Sequence, residues 1–141
     1  MKTTLAAGIA AKRRFGIDRE RTIDFMGEEA RVYATPMLVR DIEVTCREFL
    51  LEHLDAGEDS VGTRVEIDHL AATLLGMAVE ISVSVAEVKG RAVTFAVEAH
   101  DGIDAVCRGR HMRFVVDVKQ TEARLAAKAE KVKKMQAREQ A

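Results

Sequence analysis

Hydrophobic positions along this chain follow a period of two over most of its second half. Met77, Val79, Ile81, Val83 and Val85 alternate with Glu80, Ser82 and Ser84, the pattern of a strand with one dry face and one wet face. Val93, Phe95, Val97 and Ala99 resume the alternation after a Lys89-Gly90 turn, and residues 104–117 run on as a last long strand. Upstream, Val61, Thr63, Val65 and Ile67 alternate with Gly62, Arg64, Glu66 and Asp68. Asp101-Gly102 predicts a type I′ hairpin, a turn whose two central residues both need positive φ. Long strands joined by short turns make an antiparallel, strongly curved sheet. Residues 15–26 hold one or two shorter strands, followed by the polar link Gly27-Glu28-Glu29-Ala30-Arg31.

The period changes to helical in two places. Leu38, Ile42, Cys46 (or Thr45), Phe49 and His53 form one stripe, with Val39, Glu43, Cys46 and Leu50 beside it. Thr35 suits the N-cap and Pro36 the first helical position, while Gly57 is a natural left-handed terminator, so the spacing predicts a helix over 36–54. From Val118 onward Leu125, Ala129, Val132 and Met135 follow a narrow stripe among Lys128, Lys131, Lys133, Lys134 and Arg138, a solvated charged helix. One amphipathic helix must cover the apolar face of the sheet, which predicts an α+β fold, a curved antiparallel sheet wrapped around one long central helix.

The 141 residues read as a single domain able to bury a core, with 1–14 as an N-terminal extension and 118–141 as the charged C-terminal helix. A net charge of −1 gives no reason to expect nucleic acid. Cys46 and Cys107 stand alone, so neither a disulfide framework nor a metal site is indicated. The start Met1–Ala11 has some secretory-signal character, but its apolar run is short and meets Lys12-Arg13-Arg14. No segment approaches the ~18 apolar residues of a membrane span. A cytoplasmic protein with no membrane partner is expected.

Glu43 interrupts an apolar helix surface, where a carboxylate needs a partner or a functional reason. Thr35 is explained by capping alone, yet a helix N-terminus also offers free amides and a positive dipole end to a developing oxyanion. His69 lies where a strand leaves the sheet, a place from which an imidazole of pKa about 6.5 can be aimed into a cleft. Gly62 marks a bulge or a close backbone approach. Arg113, alternating with His111 on the last strand, is read as a surface or dimer-contact residue, or as one that meets a substrate phosphate. Thr35, Glu43 and His69 together are a group able to carry out acyl transfer.

These residues carry a resemblance. The run Ala34-Thr35, Met37-Leu38-Val39, Glu43, Gly62-Thr63 and His69-Leu70-Ala71-Ala72-Thr73 resembles the hot-dog thioesterases of the fluoroacetyl-CoA thioesterase type. The segment Ala99–Asp104, with Gly109, His111 and Arg113, is similar to theirs as well, and the match covers about residues 15–135. The resemblance implies a hot-dog fold and hydrolysis of an acyl-CoA thioester to free acid and coenzyme A. It implies a homodimer or a dimer of dimers with sites at the subunit interface, Thr35, Glu43 and His69 as catalytic group, and Gly62 lining the same site. Coenzyme A is then part of the substrate, and no separate cofactor is implied. One departure bears on specificity. The family member selective for the fluorinated substrate has a longer, phenylalanine-bearing lid before the threonine, whereas Phe25-Met26-Gly27 here runs to Tyr33 through a shorter, charged link. A short or medium acyl chain is expected rather than selection for fluorine. The alternatives are a non-catalytic acyl-CoA-binding module and an enoyl-CoA hydratase, whose usual helix Asp/His pair is represented here only by Asp41.

Overall fold

The computed structural model describes residues 1–141. Strands β1 (Ala10–Gly16), β4 (Glu58–His69), β5 (Ala78–Lys89), β6 (Ala92–His100) and β7 (Ala105–Asp117) form one antiparallel sheet in the order β1-β5-β6-β7-β4. Strands β2 (Thr22–Ile23) and β3 (Val32–Tyr33) form a separate ribbon just before helix α1 (Thr35–Leu51). Helix α2 (Val118–Gln140) ends the chain. The helix packs on β4, β1, β5 and β7, as one apolar stripe against one apolar sheet face requires.

The alternation places the core correctly in β5 and β6. Val79, Ile81, Val83 and Val85, and Val93, Phe95, Val97 and Ala99, are all buried. They meet Leu38, Ile42, Cys46 and Leu50 of α1 in one hydrophobic cluster, where each large aliphatic contributes about 1.5–3 kcal/mol. No helix is long and apolar enough to cross a membrane.

Elsewhere the structure departs from the pattern. Residues 10–14, read as part of an extension, belong to β1, which pairs along its length with β5. In β4 the pairing shifts between Gly62 and Arg64, leaving Thr63 as the extra residue of a bulge. Ser60 ahead of the bulge is buried, and Val65, Ile67 and His69 beyond it are half-buried between exposed neighbours. Val61 therefore points outward, at 43% exposure, and the two halves of β4 present opposite parities to α1.

The connection after β6 is a four-residue loop rather than a type I′ turn, since no non-glycine residue has positive φ and only Gly102 does, at 90°. Asp101 builds it. One carboxylate oxygen accepts the Ile103 and Asp104 amides at 3.0 and 2.7 Å, and the other accepts the buried Thr73 hydroxyl at 2.9 Å. Gly109 is required by close approach: a Cβ there would stand 2.1 Å from the Glu66 carbonyl oxygen on the neighbouring strand. Asp117 caps α2 by accepting the Gln120 amide. No residue of α2 is buried, in keeping with a solvated charged helix.

Candidate active site

Two polar clusters lie against α1. The first is at its N-terminus. Ala34, not Thr35, is the N-cap, and its side chain makes no capping bond. Thr35 is already the first helical residue, so its hydroxyl is free, and Oγ1 lies 2.7 Å from Nδ1 of His69. His69 reaches it from the end of β4. The second imidazole nitrogen, Nε2, is buried and has no hydrogen-bond partner, an uncommon condition for a buried polar atom. Burial holds the His69 imidazole below its ordinary value, so the ring is kept neutral. Around the pair is an open cleft of about 310 Å³, lined by Ile23, Val32, Tyr33, Leu70, Ala71 and Ala72.

The second cluster lies further along α1. A Cβ placed on Gly62 would stand 3.0 Å from Oε1 of Glu43, 3.2 Å from Cε1 of His111 and 3.4 Å from Nη1 of Arg113. Those three side chains thus converge on the notch that the glycine leaves open. Arg113 is buried and anchored: Nε donates to the Ser60 hydroxyl at 2.7 Å and Nη2 to the Ser60 carbonyl at 2.9 Å. Its inward position corrects the reading of Arg113 as a surface or dimer-contact residue. His111, also buried, donates from Nδ1 to the Arg64 carbonyl at 2.8 Å and accepts Nη1 of Arg113 on Nε2 at 3.1 Å. That pattern makes it a neutral tautomer, and burial holds its pKa below the ordinary value. Burial likewise lowers Arg113, opposed by the charge of Glu43. Glu43 itself is half-buried and makes no hydrogen bond or ion pair, which leaves a carboxylate unengaged beside a fixed positive charge.

The structure brings Thr35 to His69, and Glu43 to Gly62 and Arg113. It does not join the two clusters within one chain. Thr35 and Glu43 are eight residues apart on α1, about 12 Å of helix rise. His111 was missed by sequence reasoning, although its phase on β7 with buried Val115 was a usable signal.

Other candidates are accounted for. Asp41 is buried and fully engaged. It accepts the Tyr33 hydroxyl at 2.5 Å and Nε and Nη2 of Arg21 at 2.9 and 3.2 Å. It is thus not available as a hydratase acid. Burial pushes the Cys46 thiol up to about 12 and Cys107 to about 11, so neither supplies a thiolate nucleophile.

A five-stranded antiparallel sheet on one long helix, with polar groups gathered where the helix meets strand β4, defines an α+β fold of the hot-dog type. Residues 17–119 match the family FlK, fluoroacetyl-CoA-specific thioesterase, and the chain belongs to that family. It is 34% identical over 101 residues to the fluoroacetyl-CoA thioesterase of Streptantibioticus cattleyicolor, covering 72% of this chain and 73% of the relative. The solved structure of the fluoroacetyl-CoA thioesterase FlK superposes with a TM-score of 0.81 at 28% identity, over 88% of this chain and 97% of that one. A hypothetical thioesterase-superfamily protein of Thermus thermophilus superposes with a TM-score of 0.85 at 28% identity, over 93% and 98% of the two chains.

Proposed function

We propose that this chain is an acyl-CoA thioesterase, releasing a free acid and coenzyme A, and that Thr35, Glu43 and His69 carry the reaction. The observation that carries this reading is the unengaged Glu43 carboxylate, set over the notch at Gly62 beside buried Arg113. Glu43 acts on the thioester carbonyl carbon, either by direct attack, giving a mixed anhydride that water then hydrolyses to the free acid, or by taking a proton from the attacking water. In both cases the C–S bond breaks and sulfur leaves as the CoA thiolate. With the Thr35 hydroxyl donating to Nδ1 of His69, the ring proton sits on the unpartnered Nε2. The ring is neutral, so this N–H assists departure by hydrogen-bonding the sulfur, and the thiolate takes its proton from water. The Thr35 amide supplies a donor for the oxyanion, since Pro36 has no N–H and the Met37 and Leu38 amides already donate to the Ala34 carbonyl.

The two clusters act on one substrate if a second copy of the chain completes the site, with Glu43 of one protomer facing the Thr35–His69 pair of the other. The open edge of β4, with Val61 exposed, supports such a homodimer, since an unpaired edge is a template for pairing with another strand. The apolar lining of the His69 cleft suits a short or medium acyl chain. Phe25 is 87% exposed and Glu28 is held by Arg19 and Arg31, so no aromatic gate favours a fluorinated substrate. The test is turnover of a panel of acyl-CoA esters, following thiol release, with Glu43→Gln and His69→Ala as controls. Wild-type turnover well above both variants is expected. Equal rates in all three would remove the catalytic assignment.

A further inference from the structure

We propose that Asp41 and Tyr33 are positioning residues for the Thr35–His69 pair, with Arg21 and Asp41 locking the Tyr33 ring and that ring fixing the plane of the His69 imidazole. This rests on the reading of His69 as a functional group. The geometry is a short relay. Arg21 presents two nitrogens to Asp41, and its guanidinium also lies over the Phe15 ring, 5.3 Å from the centroid. Asp41, 1% exposed on the buried face of α1, accepts the Tyr33 phenol at 2.5 Å. The Tyr33 ring then stands edge-on to His69, centroids 6.3 Å apart and planes at 79°, a favoured aromatic arrangement.

The backbone between these groups is pinned as well. Tyr33 donates to the Thr73 carbonyl at 2.8 Å, and Ala34 donates to the Arg21 carbonyl at 2.8 Å. Thr35 follows directly, so the same framework sets both partners of the 2.7 Å Thr35–His69 contact. Such help is needed because rotation of an imidazole about its terminal torsion is soft. A flip would replace Nδ1 by a carbon and lose the Thr35 bond, and the other nitrogen has no partner to resist it. A buried ion pair is also a poor way to gain stability, since apolar residues of similar volume often do as well or better. An orienting role accounts for its presence between α1 and the cleft.

The test uses the full chain with Tyr33→Phe, Tyr33→Leu and Asp41→Asn. It reads kcat and KM on the best CoA ester of the panel, Tm, and the titration of the His69 ring followed by NMR. Tyr33→Phe and Asp41→Asn are expected to lower kcat about tenfold with KM within about twofold, because misplacement of a reacting group falls on the chemical step. Tyr33→Leu, which removes the wall altogether, is expected to cost more. In all three the His69 titration should move up toward the ordinary imidazole value, as a loosened ring admits water. Wild-type kcat and wild-type titration in Tyr33→Phe and Asp41→Asn, even with lowered Tm, would reduce the network to a structural role and overturn the proposal. Should Asp41→Asn fail to fold, Tyr33→Phe, which leaves Asp41 paired with Arg21, decides alone. Absence of turnover in the wild type would be a failure of the thioesterase reading, and the NMR titration would still decide this one.

Discussion

Replacing Gly62 by alanine separates the stability of this fold from its chemistry. Gly62 lies in β4 with φ outside the left-handed region, so alanine adopts the native backbone there without strain. On stability alone the substitution is favourable by about 0.4–1 kcal/mol, because it narrows the unfolded ensemble, and a side chain in a strand is otherwise an improvement on glycine. The added methyl nevertheless meets Oε1 of Glu43 at 3.0 Å, about 0.4 Å inside the 3.4 Å at which ordinary contact begins. Two of the three groups around the notch cannot yield: Arg113 is tied to Ser60, and His111 to Arg64 and Arg113. Glu43 has no such tether, so most of the displacement falls on it, while the smaller overlap with Cε1 of His111 at 3.2 Å offsets part of the unfolded-state gain.

A misplacement of 1 Å can cost a reaction a factor of about 10², and 0.4 Å together with the loss of space in the notch should cost about tenfold in kcat/KM. That is about 1.4 kcal/mol of transition-state stabilisation. The assay pairs thiol release from a CoA ester with thermal unfolding of the same preparations. Unchanged or raised Tm with kcat/KM reduced about tenfold is the expected result. Activity within twofold of wild type would refute the placement of the reacting carbonyl at this notch. A clear fall in Tm would refute the claim that the overlap is relieved mainly by Glu43.

Two further outcomes follow from the site. Thr35→Val should cost less than the 0.5–2 kcal/mol of a lost helix cap, since Ala34 holds the cap position, yet should lower kcat by removing the hydroxyl bonded to His69; thermal melts and kinetics on one preparation check both. Burial holds His69 and His111 below the ordinary imidazole value, so below about pH 6.5 the unfolded chain takes up protons that the folded chain refuses. The sign is therefore a loss of stability as pH falls below that value, whereas the depressed carboxyl of Asp59, held down by Arg47, loses its contribution only at more acidic pH, below about 4. Tm measured between pH 7.5 and 5 should decline, and His111→Gln should flatten the decline.

How much of this was legible in the sequence depends on how far each element obeys a simple period. Strands β5 and β6 and helix α1 each bury one face, and their apolar positions locate that face unaided. Strand β1 escaped because it is an edge: of Ala10–Gly16 only Phe15 is buried, and Lys12, Arg13 and Arg14 are the charges that edges carry to avoid further pairing. Thr35 and Pro36 correctly announced a helix start, but a one-residue shift decides whether the threonine hydroxyl caps the helix or faces His69. Arg113 reads as a surface or dimer-contact residue because charged residues are mostly exposed, and His111 beside it receives no role. Their spacing by two from Val115 places all three on one face, and the period was the better guide.

The bulge at Thr63 breaks the period and was signalled in the sequence only by the glycine before it, Gly62, and the site depends on it. Gly62 and His69 are seven residues apart, and in a regular strand an odd separation puts two side chains on opposite faces. One extra residue on β4 opposite β7 restores the parity, so that the open notch above Gly62 and the imidazole of His69 both face α1. An uninterrupted strand would leave Glu43 its notch and turn His69 to the far side of the sheet, away from Thr35. The same residue explains why alternation read through Val61, Thr63, Val65 and Ile67 went wrong in its first half. The misreading of the strand and the assembly of the candidate site thus have one cause.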